Sequence, residues 1–245
     1  MASTMRSEIE RSESNNTMEV SIEMLPESLL LEVLAKVASE SVVDFNNVKV
    51  CSQKFCKFTT EENDLLKIVS FEEYPKILWE PTKHALAIIK RCEESGNPDV
   101  LFSKGLREYF NYPNGNIGGL EKLKITAESG HKLAKYVYGL IMLSSENNES
   151  MQEGIEHIRF LKMAKCVMHT RNKIDEITKK YLFIYYNGML VRRQTRVCKS
   201  KPCKGWGLRR GKWIMMNDED DDLSYCEYCR WDHELEIFYQ IFRVR

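Results

Sequence analysis

Long apolar runs are missing from this 245-residue chain, and with them the means to cross a bilayer as a helix. No stretch approaches the roughly 20 apolar residues that a spanning helix needs, and nothing near the N-terminus resembles the apolar core of a secretory signal. A charge of one sign is missing too. The 36 Lys and Arg balance 36 Asp and Glu, so no global field draws the chain to nucleic acid or to a membrane surface. Catalytic signatures are equally scarce: there is no nucleophile elbow, no phosphate loop and no HExxH pair, so an enzyme in its own right is not expected. His84, His157 and His169 fall within helical patterns and read as surface or satisfied core residues. These absences lead to the expectation of an intracellular protein, nuclear or cytoplasmic, whose eight cysteines serve as thiols or metal ligands, because intracellular thiols are kept reduced. What is present is a 43% hydrophobic content, ample for one large core or two modest ones.

Residues 1–20 are rich in Ser, Glu, Asn and Arg without an apolar face and are expected to be a disordered tail. Residues 21–70 then carry a dense helical pattern. Pro26 suits a first helical position, where its fixed φ is pre-organised, and Leu29, Leu30, Val33, Leu34 and Val37 recur on one helical face. Ser41 with Asp44 forms a capping-box-like start, followed by an inner face of Phe45, Val48, Cys51 and Phe55. Thr59 with Glu62 reads as the cap of a third short helix carrying Leu65, Leu66 and Ile68. Such a stripe either packs inside a helical domain or meets a partner.

The wording Leu25-Pro26-Glu27-Ser28-Leu29-Leu30-Leu31-Glu32-Val33-Leu34, with Val43, Val48-Lys49-Val50-Cys51 and Phe55, resembles an F-box. That resemblance implies a three-helix module that docks on a Skp-type adaptor and so hangs a substrate receptor on a cullin-based ubiquitin ligase. Carried over by position, Leu25, Pro26, Leu29, Leu30, Val33, Leu34, Val48 and Cys51 would be its docking or packing residues.

Residues 81–190 stay helical and repeat. Asn97-Pro98 starts a helix with Val100, Leu101, Gly105, Leu106 and Tyr109; a second carries Leu120, Leu123, Ile125 and Ala127 up to Ser129-Gly130-His131. Ala134, Val137, Tyr138, Gly139, Leu140 and Leu143, then Ile155, Ile158, Leu161 and Ala164, restate the plan about 34 residues later, the length of tetratricopeptide-type repeats. The phrase Leu123 to His131 resembles the Sel-type branch of that family. The alternative is an irregular helical bundle. Small Gly105 and Gly139 at matching places read as close helix packing, His131 as a turn residue, and Cys51, Cys56, Cys92 and Cys166 as small apolar core residues. Two units are few for a free-standing solenoid, so these helices are expected to pack against the N-terminal module or the C-terminal segment.

Residues 191–245 form a Cys-rich tail with a terminal helix. Cys198-x4-Cys203 and Cys226-x2-Cys229 have roughly the layout of a four-thiolate structural zinc site, with His233 as a substitute ligand; the alternative is four reduced thiols in a small β-containing segment. From Arg192 to Lys212 there are nine Lys or Arg and no acid, with Trp206 and Trp213 interleaved, and the acidic run Asp218–Asp222 follows. A basic stretch with aromatics can bind nucleic acid, but the adjacent acidic run cancels the field that phosphate steering needs, which favours internal pairing. Trp231, Leu235, Ile237, Phe238, Ile241 and Phe242 make the apolar face of the terminal helix. The chain therefore reads as a mostly α protein in which an F-box-like module precedes Sel-like helices. It resembles the plant F-box group of that architecture, whose partners would be a Skp-type adaptor, its cullin complex and a protein substrate. A helical-repeat scaffold with a zinc or nucleic-acid tail, unconnected with ubiquitin, is the other reading.

Overall fold

Polar side chains cap half of the twelve α-helices among the described residues. Ser41, Thr82, Asn97, Asn116, His131 and Asn147 each accept a hydrogen bond from a backbone N–H of the first turn that follows, satisfying donors that have no partner within the helix. The computed structural model describes residues 22–61, 63–110, 115–182, 189–200 and 226–244. The expected tail over residues 1–20, Cys203, Trp206, Trp213 and the acidic run lie outside the described residues, which hold helices and no strand.

The N-terminal module comprises a 3-10 turn, Ile22–Met24, then α1 (Glu27–Glu40), α2 (Val42–Cys51), α3 (Gln53–Glu61) and α4 (Asn63–Ile68). Four helices stand where three were expected. The second apolar face is broken at Ser52, whose extended backbone ends α2 and whose hydroxyl accepts from Lys54 N–H at 3.1 Å. Thr59 is no cap: it lies inside α3, fully buried, and its hydroxyl donates to the Phe55 carbonyl at 2.9 Å. Pro26 occupies the N-cap position of α1 rather than the first helical one. Leu30, Leu34 and Ala38 of α1 pack with Val42, Phe45, Phe55, Leu65 and Leu66 as the module's core.

Two reciprocal backbone bonds close the module, Val42 N–H to Ser70 O at 2.9 Å and Ser70 N–H to Ala38 O at 2.8 Å. Asn97 then fixes it to the rest of the chain. This fully buried side chain donates to Leu66 O and Val69 O, both at 2.8 Å, while its oxygen accepts from Asp99 N–H at 3.0 Å and Val100 N–H at 3.2 Å. Asp99 takes Phe71 N–H at 2.9 Å and meets His131 Nε2 at 3.1 Å. One helix start therefore gathers three segments.

Between these anchors run α5 (Pro75–Trp79), α6 (Lys83–Glu94), α7 (Pro98–Tyr109), α8 (Ile117–Glu128), α9 (Lys132–Ser144), α10 (Asn148–Met163) and α11 (Val167–Tyr181). The repeat is carried by glycine. A Cβ on Gly119 would lie 2.4 Å from Tyr109 N and 2.8 Å from Gly105 O; a Cβ on Gly154 would lie 2.5 Å from Gly139 O and 2.7 Å from Leu143 N. The pairs α7–α8 and α9–α10 thus cross at equivalent points with their backbones in contact. The turns repeat as well: Asn97, His131 and Cys166 each donate their N–H to the carbonyl five residues back, a Schellman closure around a left-handed residue, Gly96 at φ +81°, Gly130 at +100° and Lys165 at +50°.

The last helix, α12 (Glu227–Ile241), returns to pack on α9. Phe238 and Phe242 are buried, with the Phe242 ring stacked on Phe110 at 4.0 Å. Beneath them Glu234 Oε1 accepts from the Tyr136 hydroxyl at 2.7 Å and from Arg171 Nε at 2.9 Å, a network that joins α9, α11 and α12. Burial, with Glu234 beside it, pushes the Tyr136 hydroxyl well above its ordinary range, so it stays a donor.

Candidate functional site

α1 has two unlike apolar faces. Leu30 and Leu34 are 0% and 1% exposed and belong to the core, whereas Leu29 and Val33 are 45% and 39% exposed on the outer face. Leu25, half-buried, precedes them at the same four-residue spacing, and Pro26 is exposed. Ile22 and Met24 of the preceding turn are exposed as well, which extends the uncovered apolar run to the chain before α1. On α2, Val48 is half-buried and Cys51 exposed, its thiol donating to Asn47 O at 3.3 Å. The expected inward position of Cys51 is therefore corrected: six residues after Phe45 in α2, it stands about 120° around the helix from that buried side chain. Cys56 is also exposed, while Cys92 and Cys166 are core residues as expected, burial pushing the Cys92 thiol up to about 12.

At the other end of the molecule a strap, residues 189–200, crosses from the α9–α10 corner to α12. Arg193 donates to Ser145 O and to Leu143 O, the latter at 3.2 Å, and its own N–H donates to the Tyr239 hydroxyl at 3.0 Å. Glu146 accepts from Gln194 N–H at 2.9 Å, from Thr195 N–H at 3.1 Å and from the Thr195 hydroxyl, and these donors hold its carboxyl down at about 2. The strap then reaches Asp232, whose carboxylate accepts from Val197 N–H at 2.8 Å and Cys198 N–H at 3.1 Å. Burial raises the Asp232 carboxyl against the pull of those two donors. So held, Cys198 meets the start of α12: the sulfurs of Cys198, Cys226 and Cys229 lie within 4.8 Å of one another, with Cys198 and Cys226 3.8 Å apart. His233 is outside that trio, and Cys203 falls outside the described residues. His131 is a turn residue as expected, its Nδ1 accepting from Ala134 N–H at 3.1 Å.

Residues 72–179 match the family described as plant tetratrico peptide repeats. The repeat region is tetratricopeptide-like. Two Arabidopsis thaliana proteins that carry the F-box name are similar to the chain. One is 28% identical over 221 residues, covering 85% of this chain and 72% of the relative; the other is 29% identical over 159 residues, covering 64% and 96%. No solved structure matches the chain.

Several residues that build these sites were not found by sequence reasoning. Gly119 and Gly154 were legible in principle, since they stand 35 residues apart, each directly before an apolar residue of the repeat, Leu120 and Ile155. Ile22 and Met24 lay in a stretch too short to show periodicity. Asp232 and Glu146 had no local signal, because their partners come from 34 or more residues away.

Proposed function

We propose that this chain is the substrate-recognition adaptor of a Skp-cullin-F-box type ubiquitin ligase, working inside the cell. The observation that carries the reading is the outer face of α1: Leu29 and Val33 stand exposed above a core closed without them by Leu30, Leu34 and Ala38. An apolar stripe left uncovered beside a satisfied core supplies the desolvation that drives association. The F-box name of the two relatives supports the same assignment. Docking through Leu25, Pro26, Leu29 and Val33, with Val48 and Cys51 at its margin, leaves Leu30 and Leu34 to hold the module together. The repeat region would present a target protein so that a separate conjugating enzyme reaches its lysines. The chain's contribution is then proximity rather than bond chemistry.

The test is co-expression with a Skp-type adaptor, followed by affinity purification and size exclusion. Wild type is expected to form a stable complex, and Leu29→Asp with Val33→Asp to weaken it at least tenfold while helical content is unchanged. An unaltered complex with the double variant would overturn the docking surface. No complex with wild type would favour a helical-repeat scaffold unconnected with ubiquitin.

A further inference from the structure

Cys198 is 28 residues from Cys226 and 31 from Cys229 in sequence, yet all three sulfurs converge on one point. We propose that Cys198, Cys226 and Cys229 are thiolate ligands of a structural zinc ion that locks the strap to the start of α12.

The spacing fits the ion. Zinc–sulfur bonds of about 2.3 Å in a tetrahedron put neighbouring sulfurs about 3.8 Å apart. Cys198 and Cys226 are already at 3.8 Å, and the remaining separations, none above 4.8 Å, close by less than a rotamer's adjustment. Thiolates are soft donors, which selects zinc over magnesium or calcium.

The backbone around the trio is arranged to hold charge. Cys226 is the N-cap of α12 and Cys229 lies in its first turn, with Cys229 N–H donating to Cys226 O at 3.0 Å. Both cysteines thus stand at the positive end of a 15-residue helix. Cys198 is brought in from the opposite side and fixed by Asp232, which grips the two N–H groups of Val197 and Cys198. A carboxylate that orients a ligand's backbone in this way is a positioning residue, as outer-shell groups are in metal sites. The trio fills three corners of the tetrahedron; the fourth belongs to a donor outside it. Binding displaces three thiol protons to solvent, so affinity falls as pH falls.

The ion's role is structural. Cys198 and Cys229 are buried and the strap carries only Leu190 and Val197 besides Cys198 into the interior, so this segment has little apolar area with which to order itself. Metal binding would supply that energy directly.

The experiment is elemental analysis of the full chain purified without chelator, together with alkylation mapped by mass spectrometry before and after chelation. One zinc per chain is expected, lost on Cys226→Ser or Cys229→Ser and kept on Cys56→Ser. Should the first two variants fail to fold, wild type still decides: Cys198, Cys226 and Cys229 should resist alkylation until the metal is stripped, and cobalt in place of zinc should give thiolate charge-transfer bands. A metal-free chain whose three thiols alkylate at once would overturn the site. So would a Cys198–Cys226 disulfide, or zinc that persists in both serine variants. Adaptor binding plays no part in these readouts, so the two proposals fail separately.

Discussion

At Gly154 the missing side chain is the structural element. Its Cβ would fall 2.5 Å from Gly139 O and 2.7 Å from Leu143 N, both backbone atoms that cannot swing aside. Gly154→Ala is expected to cost about 3 kcal/mol by forcing α9 and α10 apart, read from the midpoint of urea unfolding. Gly118→Ala, whose Cβ would meet nothing closer than 3.3 Å, should stay within about 0.5 kcal/mol of wild type. Glu146 makes a pH prediction. Its carboxyl is held at about 2 by the Thr195 hydroxyl first and then by backbone donors, below its ordinary 4.5. Ionised Glu146 therefore steadies the strap at all pH values above 4.5, and this contribution is lost as pH falls from 4.5 towards 2. The protection factors of the Gln194 and Thr195 amides, which remove the intrinsic pH dependence of exchange, should fall over that window in wild type and be low and flat in Glu146→Gln. The sequence showed Gly105 and Gly139 because a repeat displays itself; it could not show Glu146, since a carboxylate in a polar loop looks the same whether or not two distant N–H groups find it.

Elements were more legible than their edges. The caps Ser41 and Asn97 announced α2 and α7 because side-chain capping is local chemistry. Thr59 misled for the same reason: a hydroxyl that can cap can also bond backwards to a carbonyl within its helix, and the choice is made by the core that buries it. Periodicity likewise found the stripe of α1 but could not divide it. Leu29 and Leu30 are neighbours in sequence and differ by 45 percentage points of exposure, because the boundary between core and surface runs between them. The consequence is measurable: Leu30→Asp buries a carboxylate at a fully enclosed site and should abolish folding of the module by circular dichroism, whereas Leu29→Asp should leave the helix signal intact and alter only association. Adaptor-binding tests on Leu30 would therefore confuse the two effects.

For the molecule as a whole, the two short repeats are completed from both ends. The N-terminal module enters through Asn97 and Asp99, and α12 closes the far side through Phe238, Phe242 and the Glu234 network. That dependence was foreseeable from the small number of repeats, but which residues would serve was not, because every such contact joins positions far apart in the chain. The thiol trio differs: the spacing of the cysteines named Cys198, Cys226 and Cys229 together, and the fold sets their sulfurs within 4.8 Å of one another.

The four left-handed corners among the described residues, at Gly96, Gly130, Lys165 and Arg243, are alike in hydrogen bonding and unlike in composition. Two use the residue that enters this conformation freely; Lys165 and Arg243 each hold a side chain there at a cost of about 1–2 kcal/mol, partly offset by the smaller freedom it surrenders on folding. Lys165→Gly should raise stability by about 0.5–1 kcal/mol, seen as a higher unfolding midpoint with an unchanged slope. The described residues thus carry an unclaimed reserve at two addresses, and an engineer wishing to offset a damaging change elsewhere has a place to begin.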